Sequence, residues 1–195
     1  MQNKIILASK SKVRKKILDE NNIPNEVEPS NVDESAVKNS LIKIKASPEI
    51  ISKNLAELKA NKVSLKQTDQ IVLGADSVID LNGELISKPE SREEALKILK
   101  KLNGKKHYLV SSVCISKNGS MIWNYTDKAV LIMKNFSDND LKLYLSKITD
   151  EALYAYNVYQ IEGEGRNLFS EINGDENTIM GLPVAQIKEY LEAIQ

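Results

Sequence analysis

Residues 71–89 read IVLGADSVIDLNGELISKP, and the order of apolar and turn-forming residues in this stretch decides the fold. Ile71 to Ala75 is an apolar run rich in β-branched side chains, short enough for a buried strand and too short for an ordinary helix. Asp76 follows directly. An acidic group at the carboxyl end of an apolar strand lies where α/β sheets hold ligands, because the strand is rigid and its end opens into a crevice. The run resumes at Val78 to Leu81, and Asn82-Gly83 supplies the pair that a type I′ hairpin turn demands at its two positive-φ positions. A return strand closes at Lys88-Pro89. Pairing in register about Asn82-Gly83 brings Asp76 and Lys88 toward the open end of the hairpin. A carboxylate and an ammonium there form either a surface ion pair of little energetic weight or two members of a site.

Upstream, Lys4 to Ala8 reads as a first strand, and Val13, Ile17 and Leu18 share one face of a helix that fades at Asn21-Asn22. Six basic residues, Lys4, Lys10, Lys12, Arg14, Lys15 and Lys16, precede the first acid, Asp19. Ser9 and Ser11 stand at the strand-to-helix junction. Outward-pointing N–H groups, the helix dipole and Arg14 one turn in make this junction an anion site; the alternative is a solvated basic face with a plain serine N-cap. The junction has no Gly-rich phosphate loop of the Walker type, which argues against a conventional ATPase. Pro24 to Pro48 reads as polar and irregular, with Glu28, Asp33 and Glu34 free to hold a metal or to be solvated. Ile51, Leu55, Leu58 and Lys62 predict a helix over Glu49 to Val63, with Lys59 beside its apolar stripe.

Downstream, Ser91 and Glu94 form a capping-box pattern, and Ala95, Leu99 and Leu102 mark the buried face of a helix ending at Asn103-Gly104. His107, the chain's one histidine, opens a strand over Tyr108 to Ile115. No His/Cys metal cluster or histidine triad can be built around it, so a structural or rim role is expected. Cys114, alone, lies in that apolar strand and reads as a buried small hydrophobe. Asn118-Gly119 turns into a strand through Trp123, and Ala129 to Met133 is a further buried run. Ser137 with Asp140 starts a helix carrying Leu141, Tyr144, Leu145 and Ile148. The glycine-richer end reads as short strands and tight turns before a closing helix with Pro183 in its first turn and Ile187, Leu191 and Ile194 on one face.

With 195 residues the chain suits one domain with a sizeable core. Its 27 basic and 27 acidic residues cancel, which gives no global field toward nucleic acid or membrane. Two phenylalanines and one tryptophan speak against stacked single-strand binding. No apolar stretch approaches a membrane helix or a signal-peptide core, so a cytoplasmic protein is expected.

Six blocks, in order, resemble the Maf family of nucleoside triphosphate pyrophosphatases, which has the inosine-triphosphatase-like fold. LASKSKVRKKIL resembles its L-A-S-x-S-P-R-R-x-x-L-L opening, VDES its acidic loop, and LAELKA its L-A-x-x-K-A helix. LGADSVIDLNGELISKP resembles its V-L-G-A-D-T-V-V…G-x-x-L-x-K-P core, LNGKKHYLVSSV its S-G-x-x-H-x-V-x-T, and the end its Y-x-I-Q-G…G…V-G-L-P. The resemblance implies a single α/β domain over residues 1–195, a mixed twisted sheet with flanking helices forming two lobes around a cleft. It implies Asp76 as proton acceptor, Ser9, Ser11, Arg14, Lys59 and Lys88 around a triphosphate, and Mg²⁺ or Mn²⁺ held by Asp76 and Glu34. A nucleoside triphosphate would be cut to the monophosphate and pyrophosphate. A homodimer is also expected from the resemblance.

Departures from the pattern fall at Lys12-Val13 in place of Pro-Arg, around Ala155-Tyr156-Asn157 in place of Lys-Ala-Gly, and at Glu162 in place of Gln. In the family the positions of Val13, Ser77 and Glu162 are associated with base selectivity. Val13 and Glu162 lean toward the branch acting on 7-methyl-GTP rather than the one acting on dTTP and UTP, because a carboxylate accepts two N–H bonds from a guanine edge and repels a pyrimidine carbonyl. A dTTP/UTP-type enzyme and a non-catalytic nucleotide-binding regulator of cell division are the alternatives.

Overall fold

The structure, a computed structural model, describes residues 4–194; the side chains of Ala155 and Tyr156, in one of the departing segments, lie outside the described residues. Among the described residues, seven strands form one mixed sheet in the order β2-β1-β3-β5-β6-β7, with β4 paired to β3 off that path. The strands are β1 (Ile5–Leu7), β2 (Asn25–Val27), β3 (Val72–Leu81), β4 (Glu84–Ile86), β5 (Lys106–Lys117), β6 (Ser120–Met133) and β7 (Phe169–Asn173). The helices are α1 (Lys12–Glu20), α2 (Glu34–Lys43), α3 (Pro48–Ser64), α4 (Arg92–Leu102), α5 (Asp138–Lys147), α6 (Asp150–Tyr156), α7 (Glu176–Ile179) and α8 (Val184–Ala193). β1 lies parallel to β2 and β3, and every other pairing is antiparallel.

β3 organises the sheet. Its turn at Asn82-Gly83 has φ of 53° and 87°, as the Asn-Gly pair requires, and β4 returns with Leu81 opposite Glu84. β5 pairs one edge of β3 from Val72 to Asp80. The other edge is shared: β1 takes Val72 and Leu73, and β4 takes Ile79 to Leu81. Between them residues 74–78 face no strand, and this break in the sheet edge is where the cleft opens. Asp76 therefore lies in the middle of a continuous strand rather than at a strand's carboxyl end, the position its sequence suggests. Unbroken pairing with β5 carries the backbone through the polar Asp76-Ser77 step.

Two apolar cores flank the break. One gathers Ile79, Leu99, Leu131, Leu141, Tyr159 and Phe169; the other gathers Ile5, Leu18, Leu73, Ile115, Leu182 and Ile187. These are the two lobes expected from the resemblance.

The segment Pro24 to Pro48, expected to be irregular, contains β2 and the whole of α2. No residue of α2 is buried, so the helix has no apolar stripe to read; its N-terminus is fixed by Asp33, which accepts a hydrogen bond from the Ala36 amide at 3.0 Å. α3 forms as expected but turns a different face inward. Ser52, Ala56, Lys59 and Ala60 are buried beside Ile51, Leu55 and Val63, whereas Leu58 is 39% exposed. Small residues face the sheet here because Gly74 of β3 packs directly against the α3 backbone.

Candidate active site

The break in the β3 edge opens into a cavity of about 500 Å³. α1, α2, α3, β3 and the segment after β4 each bring charged groups to it. α3 presents Lys59, whose Nζ donates to Asp76 Oδ1 at 2.8 Å and pairs with Glu34 Oε1 at 2.8 Å. The Lys59 and Asp76 side chains are 7% and 6% exposed. Asp76 Oδ2 is buried with no hydrogen-bond partner. A buried acceptor without a donor is costly in an ordinary interior, which marks Oδ2 as the atom aimed at a water, a metal or a substrate.

Arg14 is tied into the protein more fully than a free phosphate ligand would be. Its Nε donates to the Gly181 carbonyl at 2.9 Å and Nη1 to the Ala75 carbonyl at 3.0 Å and Ser9 Oγ at 3.2 Å, while Nη2 donates to Ser77 Oγ at 3.0 Å. Only one of its five N–H groups is left for an anion. Arg14 thus joins α1, β3 and the loop before α8 into one frame. Gly181, at φ 98°, admits this close approach, since a Cβ there would lie 2.9 Å from Ser77 Oγ. Ser77 Oγ and Ser111 Oγ are 3.0 Å apart, and Ser111 Oγ donates to the Thr178 carbonyl at 2.8 Å, which extends the frame to α7.

Ser11 caps α1 by accepting from the Arg14 amide at 3.3 Å, and Ser9 Oγ accepts from the Ser11 amide at 3.2 Å. Both hydroxyls keep their own O–H for donation into the cavity. Lys88 also lines it, and burial lowers its pKa, as do the nearby positive charges of Arg14 and Lys38, against the pull of Glu34 and Asp76. Burial likewise lowers Arg14, opposed by Asp76 and Glu34. Glu34 shows the converse. Burial works against its carboxylate, but the charge and hydrogen bond of Lys59, helped by Lys38 and Lys88, hold its pKa below the usual range. Six cations, Lys10, Lys12, Arg14, Lys38, Lys59 and Lys88, thus share the cavity wall with the carboxylates of Asp76, Glu34, Glu151 and Glu162. Glu34 and Asp76 are the two acids that act on the buried cations, and around them the positive charge is in excess and suits an anionic ligand.

Of the residues expected at the site, Ser9, Ser11, Arg14, Glu34, Lys59, Asp76, Ser77, Lys88 and Glu162 all line the cavity, whereas Val13 does not. Val13 packs against the core beneath α1. Lys38 is the member that sequence reading missed. The signal was its place one turn after Glu34, where helical geometry sets an i,i+4 pair; the two charged groups are 3.8 Å apart. The wall segment Tyr159 to Ile161, which falls in the Y-x-I-Q-G block, also lines the cavity beside Glu162, a place not read from the sequence.

No group of three or more His, Cys, Asp or Glu side chains suited to a metal occurs among the described residues. The donors do fit a hard divalent cation that arrives with a polyphosphate, because such an ion keeps waters and phosphate oxygens and needs only one or two carboxylates. Lys59 occupies Asp76 Oδ1 and Glu34 Oε1, and Lys38 lies 3.8 Å from Glu34 Oε2, which leaves Asp76 Oδ2 as the unpartnered carboxylate oxygen of the pair.

The family described as Maf, Maf-like protein, matches residues 4–194. A Pelagibacter ubique (strain HTCC1062) protein named nucleoside triphosphate pyrophosphatase is 72% identical over 195 residues, 100% of both chains. A Brucella abortus biovar 1 (strain 9-941) protein named 7-methyl-GTP pyrophosphatase is 36% identical, covering 94% of this chain and 92% of its own. Among solved structures, that of the Staphylococcus aureus Ham1 protein aligns with a TM-score of 0.41 at 19% identity, over 70% of this chain and 73% of that one.

Proposed function

The chain belongs to the Maf family and, like its 72% identical relative, is a nucleoside triphosphate pyrophosphatase, a hydrolase of acid anhydrides; we propose that the break in the β3 edge is its active site and Asp76 its general base. The observation that carries this reading is the buried, unpartnered Oδ2 of Asp76, a residue of the wall of a cavity lined by six cations. Asp76 Oδ2 accepts the proton of a water aimed at the α-phosphorus, while Lys59 on Oδ1 fixes the carboxylate's rotation. Ser9, Ser11, Lys88 and the last free N–H of Arg14 bind the triphosphate oxygens and offset the charge that develops on the departing pyrophosphate, while Lys38 adds uniform binding of the phosphates. Asp76 and Glu34 would hold Mg²⁺ or Mn²⁺, which when bound would supply further neutralisation of phosphate charge. The whole chain acts as one Maf-like domain.

Base choice falls to Glu162 and to Ser77, since Val13 lies outside the cavity wall. The Glu162 carboxylate favours an edge with two adjacent N–H donors, as 7-methylguanine offers, over the carbonyl edge of uracil or thymine. Pyrophosphate release from 7-methyl-GTP, dTTP, UTP and CTP, with Mg²⁺ or Mn²⁺, tests this directly. Glu162→Gln is expected to erode the preference for 7-methyl-GTP over UTP about tenfold, the effect of one lost charge-assisted hydrogen bond. A wild-type preference for dTTP and UTP would assign the chain to the pyrimidine branch, and silence on every nucleotide with tight binding intact would favour a non-catalytic regulator.

Lys38 carries a second expectation. Lys38→Ala removes a charge–phosphate contact made equally in ground and transition states, so KM is expected to rise about tenfold with kcat nearly unchanged. A fall in kcat at constant KM in steady-state kinetics would place Lys38 instead on the departing group.

A further inference from the structure

His107 takes no part in the chemistry described above, yet it is fully buried and holds one of the few polar contacts inside its core. It sits at the start of β5, and its Nε2 lies 3.0 Å from the Tyr159 hydroxyl. Burial pushes the imidazole down to about 4, the Lys105 backbone opposing, and pushes the Tyr159 phenol up. Both groups are therefore neutral, and a single hydrogen bond joins Nε2 and the phenol. Tyr159 meets Phe169 edge-on with ring centroids 4.9 Å apart, and His107 lies 5.8 Å from both rings.

Two more devices act on the same stretch of chain. The Tyr144 hydroxyl donates to the Val158 carbonyl at 3.2 Å. Gly165 lies so close to Gln160 that a Cβ would come within 2.5 Å of its carbonyl oxygen, and the Gly163 amide donates to that same oxygen at 3.1 Å. Residues 158–160 are thus pinned one after another from behind, and the next two, Ile161 and Glu162, continue the cavity wall. Glu162 itself is exposed, so its position depends on the backbone that carries it.

We infer that His107, together with Tyr159 and Tyr144, is a positioning residue for base selectivity: the buried clamp fixes the wall segment 158–162 against which the nucleobase is read. The inference rests on the pyrophosphatase reading and deepens it. The clamp belongs to the core of Tyr144, Tyr159 and Phe169, while α1 and the start of β3 stand on the other core. Loosening the clamp therefore moves the base wall and leaves the α1 side of the phosphate cage, Ser9, Ser11 and Arg14, in place. Tyr159→Phe removes only the hydroxyl that faces His107, and His107→Gln keeps a group that can accept from it or donate to it.

The test compares kcat/KM for the best and worst nucleotides of the panel, together with the inhibition constant of inorganic tripolyphosphate, a probe with no base. Tyr159→Phe and His107→Leu are expected to compress the wild-type ratio between the two nucleotides by about tenfold, and the double variant to do no worse than His107→Leu, because both act through one contact. His107→Gln is expected to restore most of the ratio. The tripolyphosphate constant is expected to stay within about twofold throughout. An unchanged ratio in Tyr159→Phe, or a tripolyphosphate constant that moves in step with it, would overturn the clamp and leave His107 a packing residue. Failure of the underlying reading looks different: wild-type protein would release no pyrophosphate from any nucleotide, and the inference would fall with it.

Discussion

Asp76→Asn is expected to lower kcat for pyrophosphate release by roughly 10²–10⁴-fold, the usual contribution of a positioned general base. The argument depends on which oxygen does what. Lys59 donates to Oδ1, so the Asn carbonyl takes that place and the amide NH₂ takes the place of Oδ2. The substituted group then presents two donors to the cavity where an acceptor is needed. It can neither accept a proton from water nor ligate a cation. The protein should remain folded, because the amide has the same shape and Lys59 keeps Glu34 at 2.8 Å. Lys59→Met makes the opposite case, since it strands the buried Asp76 carboxylate and costs the ~3–5 kcal/mol typical of breaking a buried pair. Retained kcat in Asp76→Asn, with its thermal unfolding unchanged, would remove Asp76 from the chemistry and point to Glu34 as the base.

How much of this was legible in the sequence follows from what each element buries. The β3–β4 hairpin was legible because Asn82-Gly83 is required by turn geometry and both flanks are apolar. α5 was legible through Ser137 and Asp140, which form a reciprocal capping box in the structure. α2 was not, because a helix that buries nothing has no periodicity to read, and its two cavity residues, Glu34 and Lys38, are held by charge instead. Lys59 was placed beside the apolar stripe when it belongs to the buried face. Leu58 misled the assignment: helical spacing favoured the larger side chain, whereas the sheet admits only Ala56 and Ala60 at that depth. Asp76 was placed at a strand end because Asp and Ser disfavour strands. What overrides that preference is tertiary, the Lys59 ammonium on one side and nine residues of pairing with β5 on the other. The wall segment Tyr159 to Ile161 is legible only through the Y-x-I-Q-G block and not from its own periodicity, since its clamp comes from His107 and Tyr144, 52 and 14 residues away from the residues they hold.

Gly74→Ala is expected to reduce both stability and activity through a single methyl group that touches no substrate. A Cβ at Gly74 would lie 2.2 Å from the Ala56 carbonyl oxygen, 2.7 Å from the Ala60 amide nitrogen and 2.9 Å from the Ala60 Cβ. Two of those three atoms are helix backbone, which cannot rotate aside as a side chain can. β3 is pinned by β1 and β5, so the strain falls on α3, which must move away from the sheet by more than 1 Å, on the scale of such overlaps, at a cost of about 1–3 kcal/mol. In a protein of this size that corresponds to a fall of roughly 3–10 °C in Tm. Lys59 precedes Ala60 on the same helix, so its ammonium is carried off Asp76 Oδ1, and a misplacement of about 1 Å at a catalytic group can cost on the order of 10²-fold in rate. Gly83→Ala separates this mechanism from a general intolerance of glycine substitution. Nothing lies within 4 Å of a Cβ there, but its φ is 87°, so it should lose about 1 kcal/mol of stability and no activity. Thermal unfolding and pyrophosphate release measured on the two variants give the comparison. Equal activity in both would mean that α3 can retreat without taking Lys59 off Asp76; a selective loss in Gly74→Ala would mean that the close contact between helix and strand sets the geometry of the base.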